Sequence, residues 1–107
     1  MIDTFVWDQL PLQEDWPLFA NLDSLSYPEL LNSAGPLLDD AVAQGHGLKT
    51  VVFTDEQQWS YAELLEDANR IAHVLSEDFG LVSGNLLLLR GPNIYMMVAS
   101  WFGVMKS

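Results

Sequence analysis

The chain has 107 residues, half of them hydrophobic and 11% aromatic, including four Trp; this excludes general disorder and allows one small core. Fifteen acids against Lys49, Arg70, Arg90 and Lys106 leave a net charge of −11, which disfavours nucleic acid and anionic membranes as partners. There is no cysteine, so disulfides and thiolate metal sites are excluded. The start, Met-Ile-Asp-Thr-Phe-Val-Trp-Asp, lacks the basic and apolar regions of a signal peptide, and a cytoplasmic location is expected.

Residues 1–27 show no clean period. Aromatic and apolar side chains stand among acids and prolines, which predicts an irregular arm with short helical turns, lying over another surface through Trp7, Trp16 and Phe19. Residues 1–48 carry eight acids and no Lys or Arg; this reads as a solvated acidic face, with docking onto a basic surface as the sharper alternative.

Residues 28–107 read as an α/β unit. A first helix is expected over 33–44, capped by Asn32 or Ser33, with Pro36 in its first turn and Leu37, Leu38, Ala41 and Val42 as its stripe. Gly45 and Gly47 end it. The β-branched run Thr50-Val-Val-Phe-Thr54 predicts a strand over 50–54, and Gln58 to Ser60 a brief return as a hairpin. A helix over 60–79 follows. Ser60 with Glu63 makes a capping box, and Trp59 with Leu64 occupies the positions of a hydrophobic staple. Leu64, Ala68, Ile71 and Leu75 form its stripe, Leu65, Ala72 and Phe79 widen it, and Gly80 is a left-handed stop.

Leu86-Leu-Leu-Leu89 has no polar alternation and predicts a short strand covered on both faces. With the strand at 50–54 and the helix between, it predicts a βαβ crossover and a parallel sheet. The last helix, 94–106, is apolar around its circumference over residues 94–105. Such a helix needs cover on every side, and it is too short for a bilayer, which takes about 20 residues. The chain therefore reads as cut off, an incomplete subdomain.

No residue emerges as a catalytic, cofactor or metal candidate. Gly80, Gly84 and Gly91 do not form a phosphate-binding pattern and read as turns around a strand. His46 and His73 stand apart, without the spacing of metal ligands. Glu63 is explained by capping and Glu66 by solvent. Arg90, at the end of the expected strand, occupies a place where ligands often sit in α/β folds, but an ordinary ion pair with one of the acids is the expectation. Met96-Met97 and Trp101-Phe102 read as core packing.

Trp59-Ser-Tyr-Ala-Glu-Leu64 resembles the first core motif of the adenylate-forming acyl-CoA synthetases, leucine-(Thr/Ser)-Tyr-x-Glu-Leu, with Trp59 in the leucine position. Arg70-Ile-Ala-His-Val-Leu75, the Gly80 to Gly84 loop and Pro92-Asn93 are similar to its continuation, and Val104-Met105-Lys106 to the opening of its second motif. Leu10-Pro11, Trp16-Pro17, Tyr27-Pro28-Glu29, Leu31-Asn32, Leu37-Leu38-Asp39, Gly45-His46-Gly47 and Leu89-Arg-Gly-Pro-Asn93 resemble the benzoate- and 2-aminobenzoate-CoA ligase branch. The resemblance implies adenylation of an aryl carboxylate with ATP and Mg, then thioester formation with coenzyme A. It also implies that the phosphate loop, the ATP-magnesium acid, the ribose aspartate and the catalytic lysine lie beyond these residues. The chain alone is then expected to bind no cofactor and to be inactive. The alternative is a stand-alone binding module that self-associates through the apolar helix 94–105.

Overall fold

A computed structural model describes residues 4–18 and 24–107. In the arm, the chain makes one helical turn, α1 (Phe5–Asp8), and a 3₁₀ turn at Gln13–Asp15. Trp16 Nε1 donates to the Pro11 carbonyl at 3.0 Å, which folds the arm on itself. Residues 4–18 are all exposed, Trp7 and Trp16 among them, so this described part of the arm is not packed into the chain's own core. Phe19 lies outside the described residues.

The first core helix is built from two wide turns, Gly35–Asp39 and Val42–His46. Asn32 is its cap: Asn32 Oδ1 accepts from the Ala34 amide at 3.0 Å. Gly45 takes φ +87°, a left-handed conformation that favours Gly, and this non-helical backbone breaks the helical path after Gln44, where the sequence places its end.

β1 (Thr50–Phe53) pairs antiparallel with β2 (Gln58–Ser60), in the register Val52↔Trp59 and Phe53↔Gln58. Thr54 belongs to the turn, where its hydroxyl accepts from the Gln57 amide at 3.1 Å. The register shifts between Thr50 and Val52. This irregularity breaks the usual alternation, and both Val51 and Val52 pack against the core.

Helix α2 (Tyr61–His73) begins with the capping box. Ser60 Oγ accepts from the Glu63 amide at 3.3 Å, and Glu63 Oε2 accepts from the Ser60 amide at 2.7 Å. The other early amides are also satisfied, Tyr61 by the Lys49 carbonyl at 3.0 Å and Ala62 by the Gly47 carbonyl at 2.9 Å. A wide turn at Val74–Asp78 ends the helix, and Gly80 (φ +66°) reverses the chain. There the Leu81 amide reaches the Leu75 carbonyl at 2.9 Å. Leu64, Ala68 and Ala72 are buried. Phe79 does not widen this stripe: it is 72% exposed, because the wide turn and the reversal at Gly80 carry it off the packed face.

Helix α3 (Tyr95–Lys106) crosses α2 and buries Tyr95, Ala99, Phe102 and Gly103. The crossing is close. A Cβ on Gly103 would stand 2.6 Å from Ile71 Cγ2 and 3.2 Å from the Ala68 carbonyl oxygen. The end of α3 is tied to the first helix. Asn32 Nδ2 donates to the Met105 carbonyl, and Lys106 Nζ meets Asp39, at 2.6 Å from Oδ2. Ala34, Leu38, Leu64, Ala68, Tyr95, Ala99 and Phe102 form one core, with the hairpin packed at its side.

Among the described residues the architecture is a partial α/β unit, in which three core helices pack with a two-stranded sheet. The strand expected at 86–89 is not formed. Residues 85–90 carry no regular structure, and among the described residues the sheet holds only β1 and β2. A strand exists through its ladder, and β2, the sequence neighbour, is the partner β1 has taken. The parallel pairing of a βαβ crossover is therefore not seen. Leu86 and Leu88 are exposed while Leu87 and Leu89 are half-buried, so one side of the segment lacks the cover that its sequence calls for. The same holds for α3, which is buried along one side and not around its circumference.

Three outcomes follow from these contacts. Gly103→Ala should destabilise the fold by about 1–3 kcal/mol through overpacking, in spite of the better helix propensity of Ala, as read from urea unfolding. Ser60→Ala should cost about 1 kcal/mol. The bonds from the Ser60 backbone and side chain hold the Glu63 carboxyl below its ordinary 4.5. A lowered folded value means that this contribution is present above pH 4.5 and is lost as pH falls through the folded value. The gap in Tm between the wild type and Glu63→Gln should accordingly close on acidification below pH 4.5.

Candidate functional site

Several polar groups among the described residues are committed to holding the fold together. The N-terminus of α2 shows this most directly. A helix start offers free amides to an anion, but here the amides of Ser60, Tyr61, Ala62 and Glu63 all have protein acceptors. No phosphate can be held there without breaking the cap. The glycines with positive φ, Gly45, Gly80 and Gly84, lie in separate turns and form no cradle. Gly84 sits in a turn closed by Asn85, whose Oδ1 accepts from the Val82 amide at 3.2 Å.

Among the described residues no group of three His, Cys, Asp or Glu could hold a metal ion. His73 is exposed on α2, and His46 is half-buried at the end of the first helix. Glu66 pairs with Arg70 across one turn of α2. The described residues do not fit an ATP-magnesium site, and no adenylation step can be assigned to them.

What the fold does create is an apolar surface. A groove of about 250 Å³ lies between the segment 89–92 and the start of α3, lined by Leu89, Arg90, Pro92, Ile94, Met96 and Met97. A second, of about 350 Å³, is bounded by Thr54, Gln57, Trp59, Ile94, Tyr95 and Met96. Ile94 and Met96 form the ridge between them. Arg90 is exposed on the rim, and among the described residues it has no ion-pair partner, which departs from the ordinary ion pair expected of it. Met96-Met97 and Trp101 are likewise not core: Trp101 is 49% exposed.

Beneath that surface lies the polar contact that positions it. Tyr95 stacks on Trp59, with ring centroids 4.4 Å apart and planes 4° from parallel. Its hydroxyl donates to Asp67 Oδ2 at 2.8 Å, and Asp67 is also 3.3 Å from Arg70. Burial, then the bond to Asp67, raises the Tyr95 phenol above its ordinary 10.0. This linkage joins hairpin, α2 and α3. Periodicity does not reveal it, since Tyr95 stands within an apolar run. The available signal was a phenol in a helix otherwise without polar groups, which needs an acceptor when buried.

A model of the AMP-binding enzyme family matches residues 38–107. The match spans well over half of the chain, and the chain belongs to that family of adenylate-forming ligases, whose complete enzymes use ATP and Mg. No curated protein and no solved structure matches the chain significantly. Among the described residues, no helix is long and apolar enough to cross a membrane.

Tyr95→Phe should lower stability by about 1 kcal/mol, the net value of one hydrogen bond. Because the folded value is raised, the wild type should lose stability as pH rises above 10, where the unfolded chain ionises first. In the Phe variant, thermal melts between pH 9 and 11 should lack that component.

Proposed function

We propose that this chain is the N-terminal part of an aryl-CoA ligase. The complete enzyme adenylates a benzoate-type carboxylate with ATP and Mg, passes the acyl group to coenzyme A, and works in the cytoplasm. The observation that carries the reading is the family match over residues 38–107, in a chain whose described residues fit no ATP-magnesium site. Its role in the whole enzyme is architectural: it supplies the capped helix α2 and the face of α3 on which further structure would be laid. The aryl branch is supported by the likeness of Tyr27-Pro28-Glu29, Gly45-His46-Gly47 and Leu89-Arg-Gly-Pro-Asn93 to benzoate-CoA ligases. Two of the resembling positions have structural work here, Asn32 as a cap and Asp39 as the partner of Lys106.

The test has two arms. The polypeptide of residues 1–107, given ATP, Mg, benzoate and coenzyme A, should release no AMP; steady AMP production would overturn its non-catalytic role. In its source cell the native protein should run at several hundred residues and form AMP with benzoate but not with a long-chain fatty acid. A native protein of 107 residues would sink the ligase reading, and activity on the fatty acid alone would sink the aryl one.

A further inference from the structure

We infer that Asn32 and Asp39 are positioning residues: they clamp the end of α3 and so fix the direction in which the chain leaves it. The consequence for catalysis rests on the ligase reading, in which the residues that follow supply the ATP site that the described residues do not form. The contacts converge on two consecutive positions. Asn32 Nδ2 donates to the Met105 carbonyl, Ser33 Oγ donates to Met105 Sδ at 3.1 Å, and Lys106 Nζ reaches both carboxylate oxygens of Asp39, 2.6 Å from Oδ2. Each joins residues 67 to 73 positions apart.

A helix end ordinarily frays, because its last carbonyls lack intrahelical partners. Here the Gly103 carbonyl takes the Ser107 amide at 3.1 Å, the Val104 carbonyl takes Ser107 Oγ at 2.8 Å, and the Met105 carbonyl takes Asn32. The last turn is therefore sealed, and its outermost bond comes from the far end of the fold. Clefts of about 420 and 290 Å³ flank the contact, the first lined by Leu30, Leu31 and Met105 and the second by Gly35, Asp39 and Lys106, and Asn32 borders both. The clamp stands between two open spaces, so with it removed the last turn of α3 has room to move.

Energetics assign the clamp to geometry more than to stability. The Lys106 side chain is 16% exposed and that of Asp39 39%. A pair so placed loses hydration and side-chain freedom as it forms, and its net contribution is small. Apolar burial already holds α3 through Ala99, Phe102 and the crossing at Gly103. Two carboxylate oxygens on one ammonium, with an amide on the preceding carbonyl, add direction. Direction matters to a reaction, because a displacement of about 1 Å in the reacting groups can cost about 100-fold in rate.

Amide exchange on the 107-residue chain reads the clamp itself. Asp39→Asn should speed exchange at Val104 to Ser107 by about tenfold or more, while Leu64 to Ala72 in α2 stay as protected as in the wild type. In the full-length ligase, at a temperature well below Tm, Asp39→Asn and Lys106→Asp should each slow AMP formation from benzoate by about tenfold or more. The double variant Asp39→Lys with Lys106→Asp restores a pair of the same reach and should recover most of that rate. A role in stability alone would lower Tm and leave the folded enzyme at its full rate. Unchanged exchange at the end of α3, single variants with wild-type rates, or a swapped pair that recovers nothing overturns the inference. A full-length wild type that forms no AMP overturns the ligase reading and the catalytic consequence together, and the exchange result then still decides the clamp.

Discussion

The close crossing of α2 and α3 is the constraint on which the rest of the molecule depends. Gly103 lies so near Ile71 and the Ala68 carbonyl that no side chain fits between them, and Ala68 and Ala99, both fully buried, keep the neighbouring turns small. That approach lets Phe102 and Leu64 share one core with Leu38 of the first helix. It also sets the depth of Tyr95, so that one ring can stack on Trp59 while its hydroxyl reaches Asp67. Were α3 a few tenths of an ångström further out, both contacts would loosen and the end of the helix would leave Asn32 and Asp39. A packing constraint at one glycine is thereby transmitted to polar contacts at both ends of the helix.

The motif that carries the family resemblance has a physical reading complete in itself. Ser60 caps, Glu63 closes the box, Leu64 is fully buried, and Tyr61 packs partly against the core. Each residue type is needed where it stands for the helix to begin at that point and in that direction. Because the cap uses the early amides of α2, the same residues cannot hold a phosphate. The motif lies within the residues matched by the family model, and what it does in this fold is to anchor the start of α2.

What was legible in the sequence was local. The capping box, the hairpin return at Gln58, the glycine reversal at Gly80 and the first helix all depend on residues within a few positions of one another, and local geometry decides them. The strand expected at 86–89 is not formed because a strand depends on a partner, and four consecutive Leu say nothing about whether one is present. Phe79 has the right spacing for the α2 stripe, but the helix widens at Val74–Asp78 and the spacing ceases to apply. The bond from Tyr95 to Asp67 spans 28 positions, and no pattern of period or composition joins them. The arm's aromatic residues are visible in the sequence, while what they would rest on is not.

The outer face of α3 poses one physical demand. A helix this apolar is stable in water only when something removes its free side from solvent, and the core of this chain covers one side of it. The unpaired segment at residues 86–89 makes the same demand next door, since its backbone amides and carbonyls lack a ladder and Leu86 and Leu88 face water. A β-strand laid beside that segment would satisfy both its backbone and its leucines. Amide exchange at Leu87 and Leu89 reads this directly: it should be fast in the 107-residue chain, because an extended segment without a partner has no hydrogen bond to slow it, and slow wherever a strand is paired there.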